Sequence, residues 1–311
     1  MKTRPLGKTG INVPVIGVGA AGFGDVYGQI TQDSANETVT GAIEMGANLF
    51  DTSPHYGLHR SEKVLGKALE GHARDSYILT SKCGRFGDDW DFSTENIKRS
   101  IPESLERLGV EYIDVMQCHD IDEGDTEQAV REALPVLRDY QQQGLIRHIG
   151  ITGYLLPLLE KVAINEGVET VMTYCTYNLQ DRRLLDTANR LGKAGIGVFS
   201  ASPLHMAALT RKGAPEWHPG QPEMLERTLR VVELCNEYGT TVETVAMQFA
   251  LDLPDDSAIS STVVGVTSPV RLAKNIETLG QKPDPELLAK IEEIYGDHLN
   301  VGWPAPLHKK S

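Results

Sequence analysis

Eight short apolar runs, rich in β-branched residues, recur along the chain and alternate with amphipathic stretches that carry helix start and stop signals. The predicted strands cover residues 13–18, 47–51, 77–82, 112–119, 146–152, 170–176, 196–200 and 262–266. The predicted helices include residues 34–45, 61–69, 94–108, 125–143 and 270–279. A strand and helix alternation of this kind predicts an α/β fold, a single (β/α)8 barrel.

The chain is long enough for one barrel with additional loops and helices. A barrel of this class takes about 250 residues, and residues 1–311 contain no linker-like composition break at which a second domain would begin. Between the seventh and eighth strands we expect a loop at 211–222 and two helices, 223–238 and 242–251. A further helix follows Asp284, and the segment Trp303-Pro304 is expected to be irregular.

A glycine motif near the start of the chain favours a different fold at first sight. Gly17-Val18-Gly19-Ala20-Ala21-Gly22 has the GxGxxG spacing of a doubly wound dinucleotide-binding domain. In that domain the third glycine opens a helix, but here Phe23-Gly24 follows within a glycine-rich stretch. We therefore interpret Gly17 and Gly19 as the end of a barrel strand that a ligand approaches closely.

The charge and the hydropathy of the chain exclude several classes of protein. The formal net charge is −13, and no basic run is longer than two residues, as at Lys309-Lys310, which argues against nucleic acid and anionic membranes as partners. No apolar run reaches the roughly 18 to 20 residues of a spanning helix, and Met1-Lys2-Thr3-Arg4-Pro5 lacks the apolar stretch of a secretory signal. We expect a cytoplasmic protein whose cysteines are reduced and mostly buried.

Polar side chains stand where three neighbouring predicted strands end, which is where barrels of this class carry their chemistry. Asp51 ends the second strand, Tyr56 follows in its loop, Lys82 ends the third strand and His119 ends the fourth. A Lys ammonium beside a phenol favours the phenolate, and Asp51 would keep that ammonium charged. These residues therefore predict a tyrosine that transfers a proton near neutral pH, with His119 orienting a substrate oxygen.

A catalytic metal is not expected, because the chain contains neither an HxH nor an HExxH motif.

The same residues resemble the motifs of the aldo-keto reductase family over essentially the whole chain. The matching motifs are Leu49-Phe50-Asp51-Thr52-Ser53 with Tyr56 and Ser61-Glu62, then Ser81-Lys82, Ser100-Ile101, Ser104-Leu105-Glu106-Arg107-Leu108, Tyr112-Ile113-Asp114 and His119. The resemblance implies a (β/α)8 barrel that binds a nicotinamide cofactor, with Tyr56 as general acid/base. Asp51 and Lys82 would tune that tyrosine, and His119 would position the carbonyl or alcohol oxygen.

The resemblance also implies a set of cofactor-binding residues, some of which depart from the family pattern. Thr152 stands in place of the family's carboxamide-binding serine, and Tyr174 in place of its glutamine. The predicted cofactor residues are Gly19, Ala20, Thr152, Tyr174, Ser200, Ser202, Pro203, Leu204, Gly265, Thr267, Arg271, Lys274 and Asn275. Arg271 and Lys274 would suit a 2′-phosphate, so the cofactor is expected to be NAD(P)(H), with a lean toward NADP(H).

Within the family the chain is similar to members that oxidise the anomeric carbon of a sugar to a lactone. That similarity rests on Cys83-Gly84-Arg85, Cys118-His119-Asp120-Ile121, Ile149-Gly150-Ile151-Thr152-Gly153, Ser200-Ala201-Ser202-Pro203-Leu204 and Pro215-Glu216-Trp217-His218-Pro219. The expected substrate is a small sugar or a sugar-derived carbonyl compound. The candidate substrate residues are His55, Trp90, His119, His205, Trp217 and Trp303.

Two alternatives to sugar oxidation remain open from the sequence. The first is an NADPH-dependent reductase of a sugar-derived aldehyde or another carbonyl compound. The second is a non-catalytic, cofactor-sensing subunit, against which the intact set of Asp51, Tyr56, Lys82 and His119 argues.

Overall fold

An antiparallel hairpin at the start of the chain closes one end of a barrel. The computed structural model describes residues 1–254 and 256–303. Strands β1 (Thr3–Pro5) and β2 (Asn12–Pro14) pair with each other, and Leu6 and Val13 pack into the apolar cluster that fills the barrel interior. The predicted strand at 13–18 is therefore wrong in its extent. Pro14, which has no N–H to donate, ends the hairpin strand, and the barrel strand begins after it.

The barrel contains eight parallel strands and confirms the predicted fold class. Its strands are β3 (Ile16–Gly19), β4 (Leu49–Asp51), β5 (Ile78–Cys83), β8 (Ile113–Cys118), β9 (Ile146–Gly153), β10 (Thr170–Tyr174), β11 (Gly197–Ala201) and β12 (Ile259–Gly265). Pairing of β12 with β3, from Thr262 opposite Ile16 to Gly265 opposite Gly19, closes the barrel. All eight carboxyl ends consequently face the same way, opposite the hairpin.

The glycine motif lies where the barrel interpretation put it. Gly17 and Gly19 belong to β3, and residues Ala20–Gly24 form a short 3-10 turn instead of an α-helix. A short hairpin follows β5, in which the two-residue strands β6 (Arg85–Phe86) and β7 (Asp89–Trp90) pair antiparallel.

Helices surround the barrel. They are α1 (Gln32–Glu44), α2 (Arg60–Leu69), α3 (Thr94–Leu108), α4 (Thr126–Gln128), α5 (Leu134–Gln142), α6 (Leu156–Glu166), α7 (Leu184–Ala194), α8 (Pro222–Glu237), α9 (Val242–Leu251), α10 (Pro269–Glu277) and α11 (Pro285–Tyr295). The predicted helix at 125–143 is divided, because a π-helical segment, Ala129–Ala133, joins α4 to α5. Pro135 explains this widening, since it lacks the N–H of the regular helical ladder.

Three smaller expectations concern the cysteines, the tail and membranes. All four cysteines are free and buried, as predicted. Trp303 lies outside the regular elements, whereas Pro304 falls outside the described residues. Among the helices of residues 1–254 and 256–303, none is long and apolar enough to cross a membrane.

Candidate active site

A buried ion pair joins the ends of two neighbouring strands. Lys82 Nζ on β5 donates to Asp51 Oδ2 on β4 at 2.7 Å and to the Thr52 carbonyl at 2.9 Å. The second carboxylate oxygen, Asp51 Oδ1, accepts a hydrogen bond from the Thr80 hydroxyl at 2.7 Å. Burial lowers the pKa of Lys82, but Asp51 and Tyr56 together more than offset that effect, so the pKa lies above its usual value. The ammonium is therefore fixed and charged, as predicted.

Tyr56 lies next to this ammonium, on the loop that follows β4. Lys82 Nζ is 4.8 Å from the centroid of the Tyr56 ring. The tyrosine backbone is fixed from the other side by the 3-10 turn, because a Cβ on Gly24 would lie 2.5 Å from the Tyr56 carbonyl oxygen. Only glycine permits this approach.

The pKa of Tyr56 is shifted in the direction opposite to the prediction. Burial raises the pKa of Tyr56, and the Lys82 ammonium opposes that rise without cancelling it. The expectation of a tyrosine poised near neutral pH is therefore wrong for the protein without its ligands. Tyr56 is a neutral phenol at pH 7, which is the form that donates a proton.

His119 faces Tyr56 across the site, with ring centroids 5.8 Å apart and planes perpendicular. Its Nδ1 lies 3.0 Å from the Ser53 hydroxyl oxygen. Burial, followed by the charges of Lys82 and Arg85, lowers the pKa of His119 well below its usual value. His119 is thus a neutral imidazole that can share one N–H with a ligand, and Ser53 is a contact to which the sequence assigned no role.

A second buried ion pair lies beside His119. Arg85, at the start of β6, binds Asp120, whose Oδ2 is 3.6 Å from His119 Nε2. Asp120 Oδ1 accepts a hydrogen bond from the Thr152 hydroxyl at 2.9 Å. The sequence motifs contained Arg85 and Asp120 without assigning them to the site, although each lies two residues beyond the end of a barrel strand.

Comparison with known proteins agrees with this arrangement. A family model described as the aldo/keto reductase family matches residues 15–296. The chain belongs to that family. It is an oxidoreductase, and the resemblance derived from its motifs is confirmed.

Individual relatives extend over nearly the whole chain. L-galactose dehydrogenase of Arabidopsis thaliana is 40% identical, with 99% of each chain covered. D-threo-aldose 1-dehydrogenase of a Pseudomonas species is 28% identical, covering 91% of this chain and 94% of that one. Among solved structures, the holo form of aldo-keto reductase AKR11C1 from Bacillus halodurans gives a TM-score of 0.75 at 25% identity, covering 94% of this chain and 96% of that one.

Enzymes of this family use nicotinamide cofactors, and the end of the barrel at β12 fits the phosphates of such a group. Gly265 is exposed, and a Cβ there would meet no atom within 4 Å. Beyond it, Ser268 caps α10 by accepting from the Arg271 N–H, and a helix N-terminus attracts phosphate. Arg271 and Lys274 are exposed on this helix and form no ion pair with any residue of the described ranges.

The other predicted cofactor residues lie around the same end of the barrel. Gly19 and Ala20 end β3, Ser200 is buried in β11, and Pro203 and Leu204 follow that strand, after Ser202 with its left-handed φ of 59°. Thr267 lies between β12 and α10, and Asn275 lies within α10. Tyr174 is half-buried at the end of β10. Thr152 differs, because its hydroxyl is already engaged with Asp120.

Of the candidate substrate residues, His55 lies against Tyr56 and His119, and Trp90 contacts Arg85. The ring of His55 is 5.9 Å from Tyr56 and 5.6 Å from His119. Its Nδ1 is buried and has no hydrogen-bond partner within the described part of the chain. Burial, followed by the charge of Arg85, lowers the pKa of His55 to about 4. The ring of Trp90 lies under Arg85, whose guanidinium carbon is 4.5 Å from its centroid.

Of the remaining candidates, His205 and Trp217 lie between β11 and α8, and Trp303 lies in the tail after α11. Trp303 is only 5% exposed and stacks on Tyr154 at 4.2 Å and on His205 at 5.7 Å, so little of its surface is open to a sugar. Trp217 is half-exposed and lies 5.7 Å from Tyr27. Of these two indoles, Trp217 is the one that offers a surface to a ligand.

Proposed function

We propose that the protein transfers a hydride between a nicotinamide cofactor and a sugar, oxidising the anomeric carbon of an aldose to a lactone. The observation that carries this proposal is the grouping of Tyr56, Lys82, Asp51 and His119 at one end of the barrel. The sugar is suggested by the relatives, since one acts on L-galactose and another is named for D-threo-aldoses.

Tyr56, Lys82 and His119 each have a separate part in this reaction. When bound, the cofactor supplies the hydride acceptor. Tyr56 takes the proton of the anomeric hydroxyl, and the Lys82 ammonium stabilises the phenolate that accepts it. His119 donates its Nε2–H to the same oxygen while the Ser53 hydroxyl holds Nδ1.

Cofactor selection depends in this proposal on Arg271 and Lys274. The Arg271→Ala and Lys274→Ala variants should weaken NADP+ binding about tenfold each, since a charge-assisted bond to phosphate is worth about 1.5 kcal/mol. NAD+ binding should change less than twofold. Quenching of tryptophan fluorescence gives both affinities.

The matched control is Lys282→Ala, which removes an exposed cation that follows the same helix. The phosphate role is refuted if NADP+ and NAD+ are weakened equally.

Reduction of a sugar-derived aldehyde or another carbonyl compound with NADPH is the second candidate. It is favoured by the raised pKa of Tyr56, because a phenol is the form that donates a proton to a carbonyl oxygen. Another relative, the NADH-specific methylglyoxal reductase of Escherichia coli, is 27% identical over 90% of this chain and 94% of that one, and its name describes a reductase.

A substrate panel followed at 340 nm tests both candidates. L-galactose, L-fucose and D-arabinose are offered with NAD+ and NADP+, and methylglyoxal with NADH and NADPH. We expect aldose oxidation to rise steadily from pH 6 to pH 9, because Tyr56 must lose its proton to act as a base and its pKa is raised. Failure to oxidise any aldose, together with rapid methylglyoxal reduction, would favour the second candidate.

A further inference from the structure

The ion pair between Arg85 and Asp120 is part of the catalytic end of the barrel, yet the proposed mechanism does not use it. Its side chains are only 15% and 4% exposed. Asp120 is also held by Thr152, independently of Arg85. The Thr152 hydroxyl donates to Asp120 Oδ1, and the Thr152 hydroxyl oxygen accepts from the Asp120 backbone N–H at 2.8 Å. The carboxylate therefore has one fixed position, and Arg85 is held against it.

This pair is close to the atoms that the proposed reaction uses. Asp120 directly follows His119, and its Oδ2 lies 3.6 Å from His119 Nε2. On the other side, the Arg85 guanidinium lies over the ring of Trp90. The positive charge of Arg85 also lowers the pKa of both His119 and His55. A ligand at His119 is thus within the field of both members of the pair.

The bond from Nη1 of Arg85 to Asp120 does not use all the hydrogen-bond donors of the guanidinium. Its Nε is buried and has no hydrogen-bond partner within residues 1–254 and 256–303. A guanidinium with a free N–H beside a binding site normally attracts a carboxylate or a phosphate. Here Asp120 cancels the charge and leaves the donor, which is the combination that suits a sugar hydroxyl.

Two further acidic residues add negative charge close to Asp120. Asp122 and Glu123 follow on the same loop. Burial raises the pKa of Tyr174 at the end of β10, and the charges of Asp120, Asp122 and Glu123 raise it further. Asp122 itself is held by the backbone N–H groups of Tyr154 and Leu155, both at 2.7 Å. Three acidic residues, Asp120, Asp122 and Glu123, thus follow His119 closely in the chain.

We propose that Asp120 determines specificity for uncharged sugars. By neutralising Arg85 it lets the guanidinium donate to a sugar hydroxyl and prevents it from binding an aldose that bears a carboxylate or a phosphate. This inference rests on the proposed function, because it places an aldose beside His119.

The Asp120→Asn variant tests the proposal by freeing the charge of Arg85. Asparagine keeps an oxygen for the Thr152 hydroxyl and loses the negative charge. We expect the ratio of kcat/KM for L-galacturonate to that for L-galactose to rise at least tenfold, the gain of about one charge-assisted hydrogen bond. Because both substrates are measured on one variant, any change in the common proton transfer by Tyr56 and His119 cancels in the ratio.

Two further variants test whether a rise in this ratio comes from the freed charge of Arg85. Asp88→Asn removes an equal charge from the exposed turn of the β6–β7 hairpin, and Asp88 forms no ion pair with another described residue. In this variant the ratio of the two kcat/KM values should stay within twofold of its value in the original protein. The double variant Arg85→Gln with Asp120→Asn should not show the rise in the ratio. In Asp120→Asn alone, added NaCl should make that rise smaller.

Arg85→Gln alone provides a second test if Asp120→Asn fails to fold. It leaves the Asp120 charge uncompensated, so the ratio should fall below that of the original protein. An unchanged ratio in folded Asp120→Asn, or an equal gain in Asp88→Asn, would overturn the proposal. A rise of the ratio in Arg85→Gln would also overturn it.

Calorimetry separates this inference from the proposed function. L-galacturonate is titrated into the original protein and into Asp120→Asn, each with NADP+ bound. Tighter binding by the variant supports the role of Asp120 even if neither protein oxidises any sugar, in which case only the proposed function fails. Equal binding by the two proteins, with L-galactose still oxidised, contradicts the role of Asp120 alone.

Discussion

Replacement of Tyr56 by phenylalanine is expected to lower kcat for the preferred substrate by a factor of about 10² to 10⁴. The variant keeps the ring that lies beside Lys82 and His119 and loses only the hydroxyl that transfers the proton. Binding of NADP+ should stay within about twofold, because the residues predicted for the cofactor phosphates lie at β12 and α10. Steady-state rates and tryptophan fluorescence quenching measure the two effects separately.

Tyr140→Phe is the matched control for that experiment. It removes a hydroxyl that donates to the Lys98 carbonyl on the outside of the barrel, and it should retain full activity. Activity of Tyr56→Phe close to that of the control would exclude Tyr56 as the proton donor and acceptor.

Replacement of Lys82 by methionine is expected to affect both activity and stability. Methionine leaves the Asp51 carboxylate buried without its cation, and breaking one side of such a pair costs about 3–5 kcal/mol of the free energy of unfolding. The ammonium that opposes the rise in the pKa of Tyr56 is lost as well, so kcat should fall at least a hundredfold. Urea denaturation and steady-state rates give the two values.

A double variant separates these effects. Lys82→Met combined with Asp51→Asn removes both charges and keeps an acceptor for the Thr80 hydroxyl. We expect it to recover most of the lost stability and none of the lost activity. Recovery of activity would show that Lys82 serves to compensate a buried charge and not to assist Tyr56.

Strand positions were predictable because they depend on local pattern. Each of the eight barrel strands overlaps an apolar run, and Asp51, Lys82 and His119 were placed at strand ends from the sequence alone. The first run was misjudged, since nothing local shows that residues 12–14 pair backward with β1. The family could also be inferred from the sequence, because its motifs lie around these same strand ends.

Contacts between distant residues were not predictable in the same way. The sequence did not show that the Thr152 hydroxyl donates to Asp120, or that the Trp303 ring stacks on Tyr154 and His205. Each outcome depends on which side chains meet across different loops at the end of the barrel. The spacing of the strands along the sequence says little about which of these loop side chains come into contact.

The sequence by itself determined the barrel, the family and the residues that surround the proposed reaction. Only the tertiary structure decided their electrostatic state. Lys82 could be expected to lower the pKa of Tyr56, but the net direction depends on the balance between that charge at 4.8 Å and the depth of burial. The pairing of Arg85 with Asp120 is likewise a matter of distance and burial. Both quantities exist only after the chain has folded, because desolvation and Coulomb energy depend on position in space.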